Sequence, residues 1–417
     1  MSRFGETRQV VVLGAGIVGV SAATWLRRSG HEVTLIDRLP PGEATSHGNA
    51  GILAASANVP VTTPGLVRKA PFYLLDRHFP LFLEWARLPS LAGFLREYLG
   101  YANDADTRRI ARDLAFIVGD SVEQHTELAG NTAADRYLRS DDYLMAYPDR
   151  QALEADGYTW SLQAEAGFTP DILEGDAVHE REPILGPGIR CLAVMKNHGF
   201  VTSPGNYVKA LAEEFQRLGG TLLQGDVGAA ELVDGRVRAV PTSVGRLDCD
   251  TLVVAAGVWS ARYLDFLDLR VPMQTERGYH IVFRSPNMRP VSPIMLTPAK
   301  FVVSPMDDGV RCAGTVEFGG LESGPSKAPL AFIRRKVAEW LPDFRWQAEE
   351  EWLGHRPAPV DSLPFIGEIR GSGVYTAFGH QHVGLTGGPK TGRLVAELVD
   401  GRMDPAELAA YDPMRFS

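Results

Sequence analysis

The stretch that decides the fold is Val10–Asp37, VVVLGAGIVGVSAATWLRRSGHEVTLID. An apolar run, Val10 to Leu13, meets Gly14-x-Gly16-x-x-Gly19. A helical pattern follows, and a second apolar run, Glu32 to Ile36, ends at Asp37. Together these parts describe a β-α-β dinucleotide site. Gly14 permits the tight turn, Gly16 lets the backbone approach a pyrophosphate, and Gly19 lets the helix pack closely on the strand. The helix opens at Ile17 and Val18, where free N–H groups and the positive dipole end face the phosphates. Asp37, with Arg38 beside it, is placed to accept both hydroxyls of an adenosine ribose. A glycine turn with no ligand is the bland alternative, but it leaves both strands and the terminal acid unexplained. The motif alone does not separate FAD from NAD.

The chain has 417 residues, which suggests two or three domains. Its 45% hydrophobic and 22% charged residues are ordinary for a globular protein. The net charge of −9, from 42 basic and 51 acidic residues, argues against a nucleic-acid partner. The nine residues before the first strand include Arg3, Glu6 and Arg8 and leave no room for an export signal. No run of apolar residues is long enough to span a bilayer. Cys191, Cys249 and Cys312 are far apart and odd in number, which fits free thiols in a reducing, cytoplasmic setting. No metal-ligand cluster and no internal repeat is present, so no metal is expected.

Further along, residues 60–102 are rich in Leu, Phe and Trp but broken by Pro71, Pro80 and Pro89, a pattern of short helices. Residues 104–132 read as one longer amphipathic helix, with Ile110, Leu114, Ile117, Val118 and Val122 near a 3.6 period. Strands are expected at 137–147 and 252–255 and through 271–316, with a hairpin around Asp234-Gly235. Helices are expected at 149–163, 175–182, 206–218, 327–340 and, closing the chain, 389–398. Nucleotide-type elements therefore recur at both ends and near Leu252. A single α/β layer threaded by a second domain explains this better than beads on a string.

Three later segments extend the motif: Thr45-Ser46-His47-Gly48-Asn49-Ala50-Gly51; Asp250-Thr-Leu-Val-Val-Ala-Ala256-Gly257-Val-Trp259-Ser260; and Gly354-His355-Arg356-Pro357-x-x-x-Asp361-x-x-Pro364-x-Ile366-Gly367, followed by Gly379-His380-Gln-His382-Val-Gly384-Leu385-Thr386. With these in order, the chain resembles the D-amino-acid dehydrogenase group within the D-amino-acid oxidase and glycine oxidase family of FAD enzymes. The likeness covers essentially the whole chain. It implies a Rossmann-type α/β FAD-binding domain interleaved with an α+β substrate domain containing a mixed β-sheet. The expected FAD parts are 1–58, 200–262 and 346–417. The expected substrate parts are 59–199 and 263–345, with a helical insert at 60–132. The resemblance also implies that Ser46 to Gly51, Ala256, Gly257, Trp259, Gly384, Leu385 and Thr386 border the FAD.

An amino acid is oxidised by moving a hydride from Cα to flavin N5, so the protein must hold Cα–H over that atom. A substrate carboxylate needs a fixed cation, and arginine offers a planar two-donor fork. Arg356 matches the family's carboxylate-binding position; its alternative is a surface arginine on a Pro-rich turn. His382 stands where glycine-oxidase-like relatives carry arginine, and reads equally as a flavin neighbour or a packed ring. On a strand through 276–283, Arg277 and Tyr279 share one face, and Glu276, Gly278 and His280 the other. The resemblance implies that Tyr279 contacts the substrate; packing of its ring in the core is the alternative. His47 lies one place too far from the glycine to match the covalent-flavin relatives, and 354–367 holds no cysteine, so the FAD is expected to be non-covalent. No catalytic acid or base is assigned.

The expected reaction is FAD-dependent oxidation of a D-amino acid to a 2-oxo acid and ammonia. Cyclic imino acids such as D-proline or cis-4-hydroxy-D-proline, and glycine or N-methyl amino acids, are alternatives. So is a flavin-carrying subunit whose catalysis lies on another chain. Residues 60–102, with Arg68, Lys69, Arg77 and Arg87, could rest on the inner face of a membrane and pass electrons to a quinone. The commoner use of such a stretch is to cover the core.

Overall fold

The computed structural model describes residues 7–76 and 80–417. Arg77, one of the basic positions of the 60–102 segment, falls outside them. The sequence at Val10–Asp37 folds as its pattern requires: strand Gln9–Leu13, helix Ile17–Arg28, strand Glu32–Asp37. These seed a six-stranded sheet in the order Phe365–Glu368, Val374–Phe378, Thr251–Val254, Gln9–Leu13, Glu32–Asp37, Thr221–Gln224. Its neighbours are parallel except at the Phe365–Glu368 edge.

Alternation along the central strand separates two cores. Val10 and Val12 pack with helices Ile17–Arg28, Pro204–Arg217 and Gly384–Val399. Val11 and Leu13 pack with Val237 and Val240 of a small antiparallel sheet on the other face. Helix–helix contact is close because glycine stands at the crossing. A Cβ on Gly392 would lie 2.5 Å from the Ala22 backbone nitrogen.

The second sheet runs Ala348–Pro359, Met273–Arg284, Gly309–Phe318, Phe301–Met306, Ile294–Leu296, Leu138–Tyr147, Cys191–Val201, Ile52–Leu53. One face buries Ile281, Phe283, Val303 and Cys312 against Leu330, Ile333 and Val337 of helix Lys327–Trp340. The other face looks toward the six-stranded sheet across a cleft lined from both sides.

Several expectations change. The helix read at 104–132 is two helices, Asp104–Val118 and Ser121–Ala129. The break serves tertiary bonds: the buried Ser121 hydroxyl donates to the Thr386 carbonyl at 2.9 Å, and Asp120 pairs with Lys390 at 3.0 Å. The closing helix begins at Gly384, so Pro389 sits inside it. Proline there leaves the Leu385 carbonyl without its helical donor. His125 Nε2 supplies one at 2.9 Å, while the Tyr207 hydroxyl lies 2.8 Å from Nδ1. Segment 60–102 holds helices Leu66–Leu75 and Leu88–Gly100, and also an unforeseen strand, Leu81–Leu83, that pairs with Val316–Phe318. Ile52–Leu53 and Ala348–Pro359 were grouped with the nucleotide segments, but both run in the second sheet. Ala348–Pro359 pairs with Met273–Arg284 along its whole length. Among the described residues, no helix is long and apolar enough to cross a membrane.

Gly392→Val is expected to overpack the crossing and cost about 1–3 kcal/mol. The check is a lower denaturant midpoint with unchanged slope.

Candidate active site

The cleft between the sheets has a volume of about 690 Å³. That lies within the roughly 300–1,000 Å³ of ligand and cofactor sites. At its nucleotide end, Gly14 has φ 109°, and a Cβ there would lie 2.4 Å from the Ala255 carbonyl oxygen. A Cβ on Gly19 would lie 1.8 Å from the Gly14 oxygen, so this glycine serves helix–strand packing and does not line the cleft. Gly16 is different. Its Cβ would meet only the Ser46 hydroxyl, at 3.3 Å, so the backbone there is bare toward the cleft. This is a cradle into which a pyrophosphate fits, at the start of a helix with no side-chain cap at Gly16. The Ser46 hydroxyl accepts from the Ile17 N–H at 3.0 Å, and Val18 lines the cleft beside them. Asp37 accepts from the Ala15 and Leu39 N–H groups at 2.7 and 3.0 Å, which fixes its carboxylate at the cleft wall. Arg38 stacks on Trp259, 4.3 Å from the ring centre. Ala256, Gly257 and Trp259 line the wall here, and Gly384, Leu385 and Thr386 line it farther along.

The opposite wall is built by two paired strands. Glu276 stands opposite Arg356, Gly278 opposite Gly354, and His280 opposite Trp352. The two central glycines leave a floor without side chains. Arg356 folds across one of them: a Cβ on Gly278 would lie 2.6 Å from its Cζ. Trp352 folds across the other, 1.9 Å from a Cβ on Gly354. Arg356 Nη1 donates to the Thr315 carbonyl at 3.1 Å, and the guanidinium borders the cleft. Burial lowers the Arg356 pKa, opposed by the nearby Glu276 charge. Burial raises that of Glu276, which accepts from Gln381 at 3.1 Å.

Tyr279 touches the cleft but is committed elsewhere. Its hydroxyl donates to Glu317 at 2.5 Å and accepts from the Ser326 N–H at 3.0 Å. Arg277 joins the same cluster, 3.4 Å from Glu317. The face of this strand that carries Glu276, Gly278 and His280 therefore builds the site, and Tyr279, favoured from the resemblance, belongs to the other. His382 lines the cleft; desolvation by the residues around it, and to a lesser extent the Arg356 charge, lowers its pKa to about 4. His380, fully buried on Thr391 at 2.9 Å, is also pushed to about 4. Both rings are therefore neutral at pH 7.

Residues 47–50 join the two walls. Arg311 Nη1 donates to the His47 and Asn49 carbonyls at 3.0 and 2.7 Å. His280 Nδ1 donates to the Gly48 carbonyl at 3.0 Å, and the Ser304 hydroxyl to the Ala50 carbonyl at 2.7 Å. Trp352 occupies the space a side chain at Gly48 would need, 2.0 Å from its Cβ position. Four successive carbonyls are thus gripped by the second sheet, and Gly48, Asn49 and Ala50 border the cleft. His47 and Gly51 do not line it. His47 Nδ1 turns toward Glu43, 4.0 Å away, and Gly51 packs its Cα on the Val201 carbonyl. Sequence reading missed Trp352, Glu276, Arg311 and Ser304. The available signal was the alternation Glu276-x-Gly278-x-His280 and Trp352-x-Gly354-x-Arg356.

The geometry defines a dinucleotide-binding protein whose ligand reaches from a glycine cradle to a sheet carrying one poised arginine. A family model of FAD-dependent oxidoreductases, DAO, matches residues 9–398. The chain belongs to that family. It is 36% identical to a D-amino-acid oxidase of Bradyrhizobium diazoefficiens, covering 99% of each chain. It is 30% identical to a D-amino acid dehydrogenase of Chromohalobacter salexigens, covering 98% of this chain and 100% of the other. Its fold is similar to that of a glycine oxidase from Bacillus cereus, with a TM-score of 0.72 at 22% identity over 96% of this chain and 97% of the other.

Arg311→Met removes the donor to the His47 and Asn49 carbonyls and leaves buried acceptors unmet. Weaker FAD retention, on the order of tenfold or more in dissociation constant, is expected from flavin release on dilution. Retention equal to the unaltered chain would contradict the role.

Proposed function

We propose that this chain oxidises a D-amino acid to its 2-oxo acid and ammonia, using non-covalent FAD. The observation that carries the reading is Arg356. It is held by the Thr315 carbonyl, folded over Gly278, and borders the cleft with no carboxylate among its hydrogen-bond partners in the described residues. When bound, FAD supplies the hydride acceptor. The protein's share is placement. Gly14, Gly16, Ile17, Val18 and Asp37 hold the nucleotide part, and residues 46–50 with Leu385 and Thr386 hold the ring end. Arg356 fixes the substrate carboxylate through its fork, and Glu276 behind it keeps the guanidinium charged and oriented. Gly278 and Gly354, without side chains of their own, let Arg356 and Trp352 lie flat against the sheet, so the substrate meets the guanidinium and the indole.

Asp37 and Asp226 are the carboxylates lining the described cleft, and both lie at the nucleotide end. His380 and His382 are neutral. Among the described residues no carboxylate lines the cleft beside Arg356, Glu276 lying behind it off the lining, and the substrate amine reacts in its neutral form, with water completing hydrolysis of the imine. The D configuration and the amino-acid class rest on the two relatives of matching length. For the electrons, exposed Val67, Phe72 and Trp85 beside Arg68 support an apolar acceptor such as a quinone, met at a membrane surface.

Arg356→Met should lower kcat/KM for the best D-amino acid by on the order of 100-fold, mostly through KM. A change below threefold would overturn the assignment. Acid precipitation of the holoenzyme should leave the yellow colour in the supernatant; a yellow pellet would show a covalent flavin.

A further inference from the structure

We propose that Lys300 binds a second carboxylate on the substrate, so that this site prefers an amino dicarboxylate. The inference rests on the oxidation reading above and names its substrate class. Lys300 lies in the tight connection between strands Ile294–Leu296 and Phe301–Met306, with its N–H on the Leu296 carbonyl at 2.8 Å. Its φ is 55°, a left-handed conformation that glycine or asparagine adopts more readily. The backbone therefore gives no reason for a lysine.

The side chain is exposed and lines the cleft. No carboxylate pairs with it among the described residues. Its position relative to Arg356 follows from the sheet. Val302 stands opposite Ala313, and continuing that register sets Lys300 opposite Thr315. The packing of Gly314 agrees, since a Cβ there would lie 3.2 Å from the Lys300 carbonyl. Thr315 is the residue whose carbonyl anchors Arg356. The lysine backbone thus begins about one strand spacing, roughly 5 Å, from the arginine's anchor. Two cations border the same end of the cleft, while the lining acids Asp37 and Asp226 stand at the other.

One carboxylate satisfies Arg356. A second, on a short carbon chain, meets the ammonium within reach of the lysine stem. Val302, Met295 and Tyr143 line the cleft next to Lys300 and carry no charge. An apolar surround strengthens such a pair by lowering the local dielectric.

The test compares D-glutamate with D-glutamine on the holoenzyme, and glutarate with its monoamide as flavin-perturbing ligands. The variants are Lys300→Asn, which suits the backbone and removes the charge, and Lys300→Arg, which keeps it. The unaltered enzyme should favour D-glutamate in kcat/KM by at least about tenfold. Lys300→Asn should erase that preference while changing D-glutamine less than about threefold, and Lys300→Arg should keep most of it. Equal use of both amino acids by the unaltered enzyme, or equal losses in Lys300→Asn, would overturn the proposal while leaving D-amino-acid oxidation intact. If no D-amino acid is oxidised, the reaction reading fails. Tighter glutarate binding that disappears in Lys300→Asn would still uphold the lysine's role, and equal binding of both ligands would end it.

Discussion

The structure depends on the grip of the second sheet on four consecutive carbonyls, those of His47, Gly48, Asn49 and Ala50. Three strands contribute the donors Arg311, His280 and Ser304. A loop with unpaired buried carbonyls would carry a large desolvation cost, so the two sheets are locked at the distance these side chains set. That distance is the width of the cleft. Arg311 is nearly all buried, and burial lowers its pKa to about 10, which leaves it charged at neutral pH. A charged donor shared between two carbonyls makes stronger bonds than a neutral one.

The same economy of side chains shapes the reactive wall. Two facing glycines, Gly278 and Gly354, clear space that Arg356 and Trp352 then fill from either side. Arginine in such a place is costly unless it meets an anion. Glu276 offsets part of that cost from behind, and the remainder favours a carboxylate arriving from the cleft. Placement of charge thus decides what binds, and the flavin chemistry common to this family decides what happens next.

Much of this was legible in the chain. The β-α-β unit at Val10–Asp37, the hairpin at Asp234-Gly235 and the helix at 327–340 follow from local pattern, because periodicity and turn chemistry act over a few residues. The four ordered motifs pointed to FAD and to Arg356. What was not legible depends on distant partners. The helix break at Gly119 answers to Thr386 and Lys390, and the helix running through Pro389 is made tolerable by His125. Strand parity offered two faces around Tyr279 and could not say which met the cleft. The answer lay in Glu317 and Ser326, which claim the tyrosine hydroxyl. The His47 ring turns toward Glu43 while its backbone carbonyl, with those of residues 48–50, is what the second sheet holds.

The central claim is that Arg356 holds the carboxylate of a D-amino acid so that its Cα reaches the flavin. The most direct measurement is anaerobic flavin bleaching with paired D- and L-enantiomers, glycine, N-methyl amino acids and D-proline, followed by reoxidation with O2 or a quinone. The account predicts rapid bleaching by D-amino acids, little by their L-enantiomers, and faster reoxidation by the quinone. Bleaching by L-enantiomers alone, or by none of these compounds, would contradict it.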